Sequence, residues 1–323
     1  MRDTILEILH DSTEEHISGE ELSRKLEVSR TSVWKHIKAL RGEGYIIESR
    51  AKLGYCLKGA PDLLLPREVR RGLKTRIFGK QKIVYHEKVK STNDIAKALA
   101  SQGALEGSII LAEQQTRGRG RKGRWWDSPE RMGIYFSIIL RPEIIPREAP
   151  RMTVVFGVAV ARAIMKATSL NPRIKWPNDL LIKGKKVGGI LTEMSAEMDG
   201  IDYIVAGFGL NVNNPSFLFP ESIKDIATSL KEELGRPVNR VRLLRHLLGE
   251  MEYYYQRFVN GKFSLILNEW RELTDTLGGW VSADTPGGRV EGEAMDIDPE
   301  GALMIRDKQG NIFSITGGDI LVR

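Results

Sequence analysis

The chain of 323 residues carries a single cysteine, Cys56, and is poor in aromatics at 7%. One cysteine excludes a disulfide framework and any zinc site built on thiolates, which suits a reducing cytoplasm and leaves a hard cation as the metal to expect. Long apolar runs are also missing: Met152 to Ala167 is broken by Arg162 and Lys166, short of the roughly 18 residues that a membrane span needs. The opening Met-Arg-Asp-Thr-Ile-Leu-Glu-Ile-Leu-His scatters charges among its apolar residues and so lacks the core of an export signal. A cytoplasmic protein with no membrane partner is the expectation. There is no low-complexity bias either, since 41% hydrophobic and 28% charged residues with 32 Gly and 13 Pro describe an ordinary globular chain. At roughly 100 to 200 residues per domain, two or three domains fit this length.

What is present in excess is positive charge. The net charge of +7 favours an anionic partner such as nucleic acid or a nucleotide. Residues 2 to 27 hold three basic against eight acidic residues, whereas residues 28 to 60 hold seven against two. Ile5, Leu6, Ile8 and Leu9 predict a first amphipathic helix, Ser18 caps a second with Leu22 and Leu26, and Ser29 caps a third with Val33, Ile37 and Leu40. The third helix carries Arg30, Thr31, Ser32, Lys35, His36 and Lys38 off its apolar stripe, where a recognition helix reaches base edges. Two β-prone runs from Gly44 to Leu57 surround a basic tip with Arg50 and Lys52, a hairpin able to touch phosphates.

Residues 1 to about 58 resemble the winged helix-turn-helix of bacterial transcription regulators, which assigns Ser29, Arg30, Thr31, Ser32, Lys35, His36, Arg50 and Lys52 to DNA. A protein-interaction module is the alternative. His36 reads as a phosphate contact or solvated residue, and Cys56 as a packed thiol.

Gly59-Ala60-Pro61-Asp62 places a boundary near residue 60. Beyond it, strands are expected at 83–86, 108–113, 133–140, 173–176, 187–193 and 203–212, a helix from Ser91 through Ala100, and a long buried helix from Ala149 to Ala167. Residues 117 to 124 concentrate five positive charges in Arg-Gly-Arg-Gly-Arg-Lys-Gly-Arg. Gly118, Gly120 and Gly123 spell a dinucleotide fingerprint, but Trp125-Trp126-Asp127-Ser128-Pro129 follows where that motif must open a helix. A Walker A loop fails because Arg124-Trp125 stands where Lys-Ser/Thr is required, and an RNA-binding Arg-Gly tract would recur. A flexible loop that wraps and orders on a phosphate-bearing ligand is left. Lys175-Trp176-Pro177-Asn178-Asp179 offers a polar pair to a nucleotide or Mg²⁺, Lys186 begins a strand softened by Gly188 and Gly189, and Gly207-Phe208-Gly209-Leu210-Asn211 is a strand whose glycines admit a ligand.

Ser91-Thr92-Asn93, Gln115, residues 118 to 124, Trp126, residues 175 to 179, 186 to 191 and 207 to 211 together look like biotin protein ligase. With the winged helix in front, the chain resembles the bifunctional biotin ligases and biotin-operon repressors of bacteria over nearly its whole length. The resemblance implies an α+β multidomain protein: a winged helix-turn-helix at 1–60, a class II aminoacyl-tRNA synthetase-like α/β catalytic domain at 61–275, and an SH3-like β-barrel at 276–323. For the barrel, short strands lie around Trp280, Arg289 to Met295, Ala302 to Arg306 and Ile312 to Ile315, separated by Pro-Gly-Gly, Pro-Glu-Gly and Gln-Gly-Asn turns.

Carried over by position, the resemblance puts Ser91, Thr92, Asn93 and Gln115 at the biotin head, with Gly118, Arg119, Lys186 and Gly188 completing that set. Arg121, Arg124, Asn178 and Asp179 would meet ATP phosphates and Mg²⁺, Trp126 the adenine and Asn211 the nucleotide. Lys186, Arg121 and Arg119 would be catalytic, and Asp179 would hold the metal. Implied partners are the biotin carboxyl carrier protein of acetyl-CoA carboxylase and other biotin-dependent carboxylases, biotin operator DNA and a second copy in a homodimer. Two readings stand beside it: a biotin-sensing transcription factor without efficient ligase activity, and a lipoate-type ligase.

Overall fold

A computed structural model describes residues 1–12, 15–197, 200–285, 288–318 and 320–322. They form two compact units, Met1–Leu63 and Leu64–Arg323.

The first unit is α1 (Arg2–Asp11), α2 (Gly19–Leu26), α3 (Arg30–Gly42) and a hairpin of β1 (Ile46–Arg50) and β2 (Gly54–Gly59). Ser18 Oγ accepts from the Glu21 amide at 3.0 Å and Ser29 Oγ from the Ser32 amide at 3.2 Å, so both expected caps satisfy an amide that the helix leaves orphaned. Glu27 sits in the left-handed region at φ 55° and makes the turn between α2 and α3 tight. The apolar stripe of α3 is the buried one: Val33, Ile37 and Leu40 pack with Ile5, Leu6, Leu9 and Leu22. Arg41 donates from Nε to the Ile47 carbonyl at 2.9 Å and from a terminal nitrogen to Ser49 Oγ at 2.5 Å, fixing the hairpin to the helix. The Cys56 side chain is buried, as expected of a packed thiol.

The second unit is arranged on a seven-stranded sheet. Its strands are β3 (Ile83–Val89), β4 (Ile109–Gln115), β5 (Ile134–Leu140), β6 (Arg173–Lys175), β7 (Asp179–Ile182), β8 (Lys185–Glu197) and β9 (Gly200–Leu210). The order is β3-β4-β5-β9-β8-β7-β6, with only β3 and β4 parallel. Helix α4 (Pro66–Arg70) leads into it, and α5 (Thr92–Ser101) covers one face through Ala96 and Ala100 on Ile110, Ile139 and Val205. Helix α6 (Arg151–Ala167) covers the other, which is why all seven residues of β5 are buried. A helix that is apolar nearly all round needs partners on both sides; α8 (Arg240–Val259) and α9 (Phe263–Leu273) supply the outer one, with the short α7 (Leu230–Leu234) before them. These three helices occupy a stretch to which the sequence reading gave no element.

The chain ends in an antiparallel sheet of β10 (Trp280–Thr285), β11 (Gly288–Ile297), β12 (Leu303–Arg306), β13 (Ile312–Ile315) and β14 (Ile320–Val322), ordered β13-β12-β11-β10-β14. Among the described residues no pairing joins β13 to β14, so a small β domain is found and barrel closure is not. Asp298 and Asp307 hold two of the expected turns by accepting from the amides of Glu300 and Ala302, and of Gln309 and Asn311. The Pro-Gly-Gly turn at 286–288 lies partly outside the described residues. Trp176, buried ahead of a cis peptide to Pro177, donates from Nε1 to the Gly301 carbonyl at 3.2 Å and joins this sheet to the larger one.

One ion pair is fully internal. Arg240 lies 2.7 Å from Glu113 Oε2, with side chains 0% and 1% exposed; Glu113 also accepts from the Leu64 amide, and Arg240 donates to the Gly133 carbonyl. A charge left alone at such a depth is strongly destabilising. Replacing Arg240→Leu is expected to lower the unfolding free energy by about 3–5 kcal/mol, read as a fall in the urea midpoint; a loss under about 1 kcal/mol, the scale of an exposed pair, would refute this anchoring.

Candidate active site

The cleft of the second unit encloses about 290 Å³ and lies where β4, β8 and β9 meet the loop 117–127. Ser91, Thr92, Asn93, Gln115, Arg119, Arg121, Arg124, Trp126, Asn178, Asp179, Lys186 and Asn211 all line it. Gly118 and Gly188 do not. A Cβ on Gly118 would stand 2.4 Å from the Trp126 carbonyl oxygen, so this glycine shapes the loop. Gly188 lies against Leu210, and its neighbour Gly189 takes the lining position.

At one end a chain of buried polar groups runs through the cleft wall. Thr92 donates from its amide to Gln115 Oε1 at 2.9 Å, and Gln115 Nε2 donates to Ser128 Oγ at 3.1 Å. Ser137 Oγ lies 2.8 Å from Thr92 Oγ1 and 2.6 Å from Asn93 Oδ1, and Asn93 Nδ2 donates to Glu193 Oε2 at 2.8 Å. Each side chain has a partner, so the rotamers are fixed before any ligand arrives. Ser91 occupies the N-cap position of α5 without a capping bond from its side chain, and the helix expected from Ser91 begins at Thr92.

The other end is charged. Arg119 reaches Asp94 Oδ1 at 2.8 Å and Glu193 Oε2 at 3.0 Å. Lys186 Nζ is 2.7 Å from Asp179 Oδ1 and 5.4 Å above the Trp126 ring, while Arg121 donates to Asn178 Oδ1 at 3.4 Å. The backbone of Lys186 is held on both sides, its amide donating to Ile226 and its carbonyl accepting from Thr228. Counting charges along the loop alone suggested an unrelieved cationic cluster; α5 and β8 bring it carboxylates. Burial pushes the Glu193 carboxyl up, but the Asn93 hydrogen bond, then Lys97 and Arg119, outweigh it and hold the group below its usual range.

The glycines of β9 serve the protein's own side chains. A Cβ on Gly207 would lie 2.0 Å from Asn93 Oδ1, and one on Gly209 would lie 2.3 Å from Trp126 Nε1. That indole nitrogen is buried and has no hydrogen-bond partner among the described residues. Loop 118–126 contains a short 3-10 turn and closes by Trp126 N–H donating to the Gly118 carbonyl at 2.9 Å. Sequence reasoning missed Asp127 and the apolar wall of Phe219, Ile223, Ile226 and Ala227, which line the cleft, and Asp94, Ser137 and Glu193, which hold lining side chains from behind. Burial raises the Asp127 carboxyl. Among the described residues no three His, Cys, Asp or Glu side chains gather as a metal cage.

In the first unit, Ser29, Arg30, Thr31, Lys35, Arg50 and Lys52 are exposed, and Ser32 and His36 half-buried. Lys38 Nζ lies 5.3 Å over the ring of Trp34, itself 49% exposed, which places an aromatic on this helix that the sequence reading passed over.

Residues 85–211 match the Biotin/lipoate A/B protein ligase family, residues 2–56 an HTH domain and residues 276–323 the Biotin protein ligase C terminal domain. The chain is 40% identical to the Bifunctional ligase/repressor BirA of Bacillus subtilis, over 99% of this chain and 98% of that one. It belongs to the biotin protein ligase family, with the domain set of its bifunctional ligase/repressors. The Biotin--[acetyl-CoA-carboxylase] ligase of Mycobacterium tuberculosis is 34% identical over 72% of this chain and 85% of its own. The solved biotin protein ligase from Aquifex aeolicus in complex with biotin and ATP superposes with a TM-score of 0.64 at 30% identity, covering 75% of this chain and 99% of that one. The fold expected for this ligase, a helix-turn-helix, a central α/β catalytic domain and a terminal β domain, is the one found. No helix among the described residues is long and apolar enough to cross a membrane.

The seat of Trp126 in this ligase is open to test. Gly209→Ala is expected to displace the indole and lower stability by about 1–3 kcal/mol in urea denaturation, whereas in a Trp126→Phe background, with less to displace, the loss shrinks. An equal loss in both backgrounds would place the strain elsewhere.

Proposed function

We propose that this chain joins biotin to ATP as biotinyl-5'-AMP, transfers the biotinyl group to a lysine of a biotin carboxyl carrier protein, and represses biotin genes from its winged helix. What carries the reading is the convergence on one cleft of a polar corner at Thr92, Gln115 and Asn93 with cations at Arg119, Arg121, Arg124 and Lys186. Such a cleft suits a reaction between two anions.

A biotin carboxylate oxygen attacks the α-phosphorus, the new P–O bond forms as the bond to the β-phosphate oxygen breaks, and its electron pair leaves with pyrophosphate. The nucleophile is the substrate itself, so the protein's task is to position and neutralise. Lys186, stacked over Trp126 and fixed through its backbone, is placed to bridge the carboxylate and the α-phosphate; Arg121 and Arg124 would meet the phosphates, with Asn178 and Asn211 at the nucleotide. Asp179, 2.7 Å from Lys186 Nζ in the cleft, fits Mg²⁺, which is commonly held by one or two carboxylates plus substrate phosphates. Bound there, the ion would lower the charge of the leaving pyrophosphate. The lysine amine of the acceptor then attacks the carbonyl of the anhydride in its neutral form, and AMP leaves.

The proposal extends to a cytoplasmic location, to acetyl-CoA carboxylase and other biotin-dependent carboxylases as the source of acceptors, and to a homodimer presenting two reading helices to a two-fold operator. It assigns reading to residues 1–60, chemistry to 61–275 and the closing β domain to 276–323.

Pyrophosphate exchange into ATP with Mg²⁺, run in parallel with biotin and lipoate, tests it. Exchange with biotin alone supports the ligase, exchange with lipoate alone moves the chain to the sister activity, and none with either leaves a sensor. Within that assay, Lys186→Ala is expected to slow adenylate formation by about 10²–10³-fold while weakening biotin binding far less; equal losses would contradict a role in the transition state. For the DNA arm, Lys35→Gln is expected to reduce the slope of log affinity against log salt by about 0.9 in fluorescence anisotropy with the operator duplex, and an unchanged slope would remove Lys35 from the phosphate contacts.

A further inference from the structure

Glu193 has no place in the chemistry above, yet it is among the most connected carboxylates in the cleft region. It stands on β8 and meets three donors: Asn93 Nδ2 at 2.8 Å, Lys97 Nζ at 2.9 Å and Arg119 at 3.0 Å. Asp94, on α5, takes the same terminal nitrogen of Arg119 at 2.8 Å and lies 4.0 Å from Lys97. Two carboxylates and two cations thus form a neutral cluster at the edge of the cleft. Within it the two carboxylates grip one nitrogen of the guanidinium, while Arg119 Nε is buried and has no hydrogen-bond partner among the described residues. A buried donor of this kind is costly unless a ligand supplies the acceptor.

We propose that Glu193 is a positioning residue for the carboxylate substrate: it clamps the terminal nitrogen of Arg119 so that Nε stays available as a donor to a biotin carboxylate oxygen. The proposal rests on the biotin reading. Because Glu193 also accepts from Asn93, whose Oδ1 meets Ser137, the clamp is continuous with the polar corner that meets the head of the substrate. The two ends of the pocket are set against each other through one carboxylate.

Two effects oppose each other. A negative Glu193 repels the substrate carboxylate, whereas its loss leaves the terminal nitrogen held by Asp94 alone, a single contact about which the guanidinium can turn. Orientation wins because Lys97 and Arg119 already cancel the charges of Glu193 and Asp94 at contact distance, whereas among the described residues Glu193 is the strand carboxylate that grips Arg119. Glutamine at this position would still accept from Asn93 and would lose only the charge-assisted hold.

The test is biotin binding to the whole chain, followed by titration calorimetry, in a cycle of Glu193→Gln and Arg119→Met. Glu193→Gln is expected to weaken biotin about tenfold, the weight of one charge-assisted hydrogen bond. At saturating biotin it should change the rate of pyrophosphate exchange by less than about twofold, since transition-state stabilisation is left to Lys186. With Arg119→Met already present, the same change should alter affinity by less than about twofold. Glu193→Asp, read in both backgrounds, serves as the second variant if the glutamine form does not fold, and it should fall between the wild type and the glutamine form. An equal loss in both backgrounds would show that Glu193 acts on the fold or the head corner and not through Arg119, and would overturn the proposal, as would unchanged affinity in the single variant. A wild-type chain that binds no biotin would bring down the reading itself; binding with an additive cycle would bring down this inference alone.

Discussion

A cleft that must receive two anions has to hold several cations close together while it is empty, and unrelieved like charges at that spacing destabilise a fold. This chain meets the constraint by lending each cation a partner of its own. Arg119 rests on Asp94 and Glu193, Lys186 on Asp179, and Arg121 on Asn178 and the Gly318 carbonyl. These pairs are partly exposed, with side-chain exposures from 25 to 50%. Such pairs add little to stability, and they can exchange a protein carboxylate for a substrate carboxylate or phosphate at small net cost. The fully buried pair of Arg240 and Glu113 is different in kind: it is sealed, multiply hydrogen-bonded and tied to backbone. The structure thus keeps its permanent charges deep and its exchangeable ones at the cleft.

The sheet is shaped to the same end. Gly207 and Gly209 remove side chains from the stretch of β9 beneath the cleft, and the space goes to Asn93 and Trp126. Asn93 then joins the polar chain, and Trp126 becomes a flat surface under Lys186. Without a Cβ at these two positions the hydrogen-bonding corner and the indole can both sit directly on the backbone of β9.

Much of this was legible in the sequence. Ser18 and Ser29 caps, the stripe of Val33, Ile37 and Leu40 and the buried run of α6 follow from local signals, and the structure places them as expected; the glycines of β9, expected to admit a ligand, instead make room for Asn93 and Trp126. Of the cleft residues read from motifs, all but Gly118 and Gly188 line it. The failures share a cause. Asp94 and Glu193 are unremarkable acids in their own segments and acquire meaning only when α5 and β8 bring them to Arg119, 25 and 74 residues away in sequence. Ser137 looks like one polar residue in a buried strand until Thr92 and Asn93 are placed beside it. Helix α8 is another matter: Leu244, Leu248, Met251 and Tyr255 recur at helical spacing and are buried, so its signal was present and local.

The closing β domain belongs to this argument through two contacts. Trp176 donates to the Gly301 carbonyl, and its own amide donates to Thr276 Oγ1 at 2.9 Å. This fixes the strand end that carries Asn178 and Asp179. Arg121 reaches across to the Gly318 carbonyl at 3.4 Å, so one cation of the loop leans on the backbone of the closing domain. A cleft whose cations are placed by glycine-bearing strands on one side and by a separate sheet on the other is sensitive to how that sheet is seated. Arg271 of α9 adds two bonds to Asp296 of β11, at 2.7 and 3.0 Å, to the same seam. What the seam holds in place is the orientation of Arg121, Asn178 and Asp179, and orientation of charge is what a reaction between anions asks of a protein.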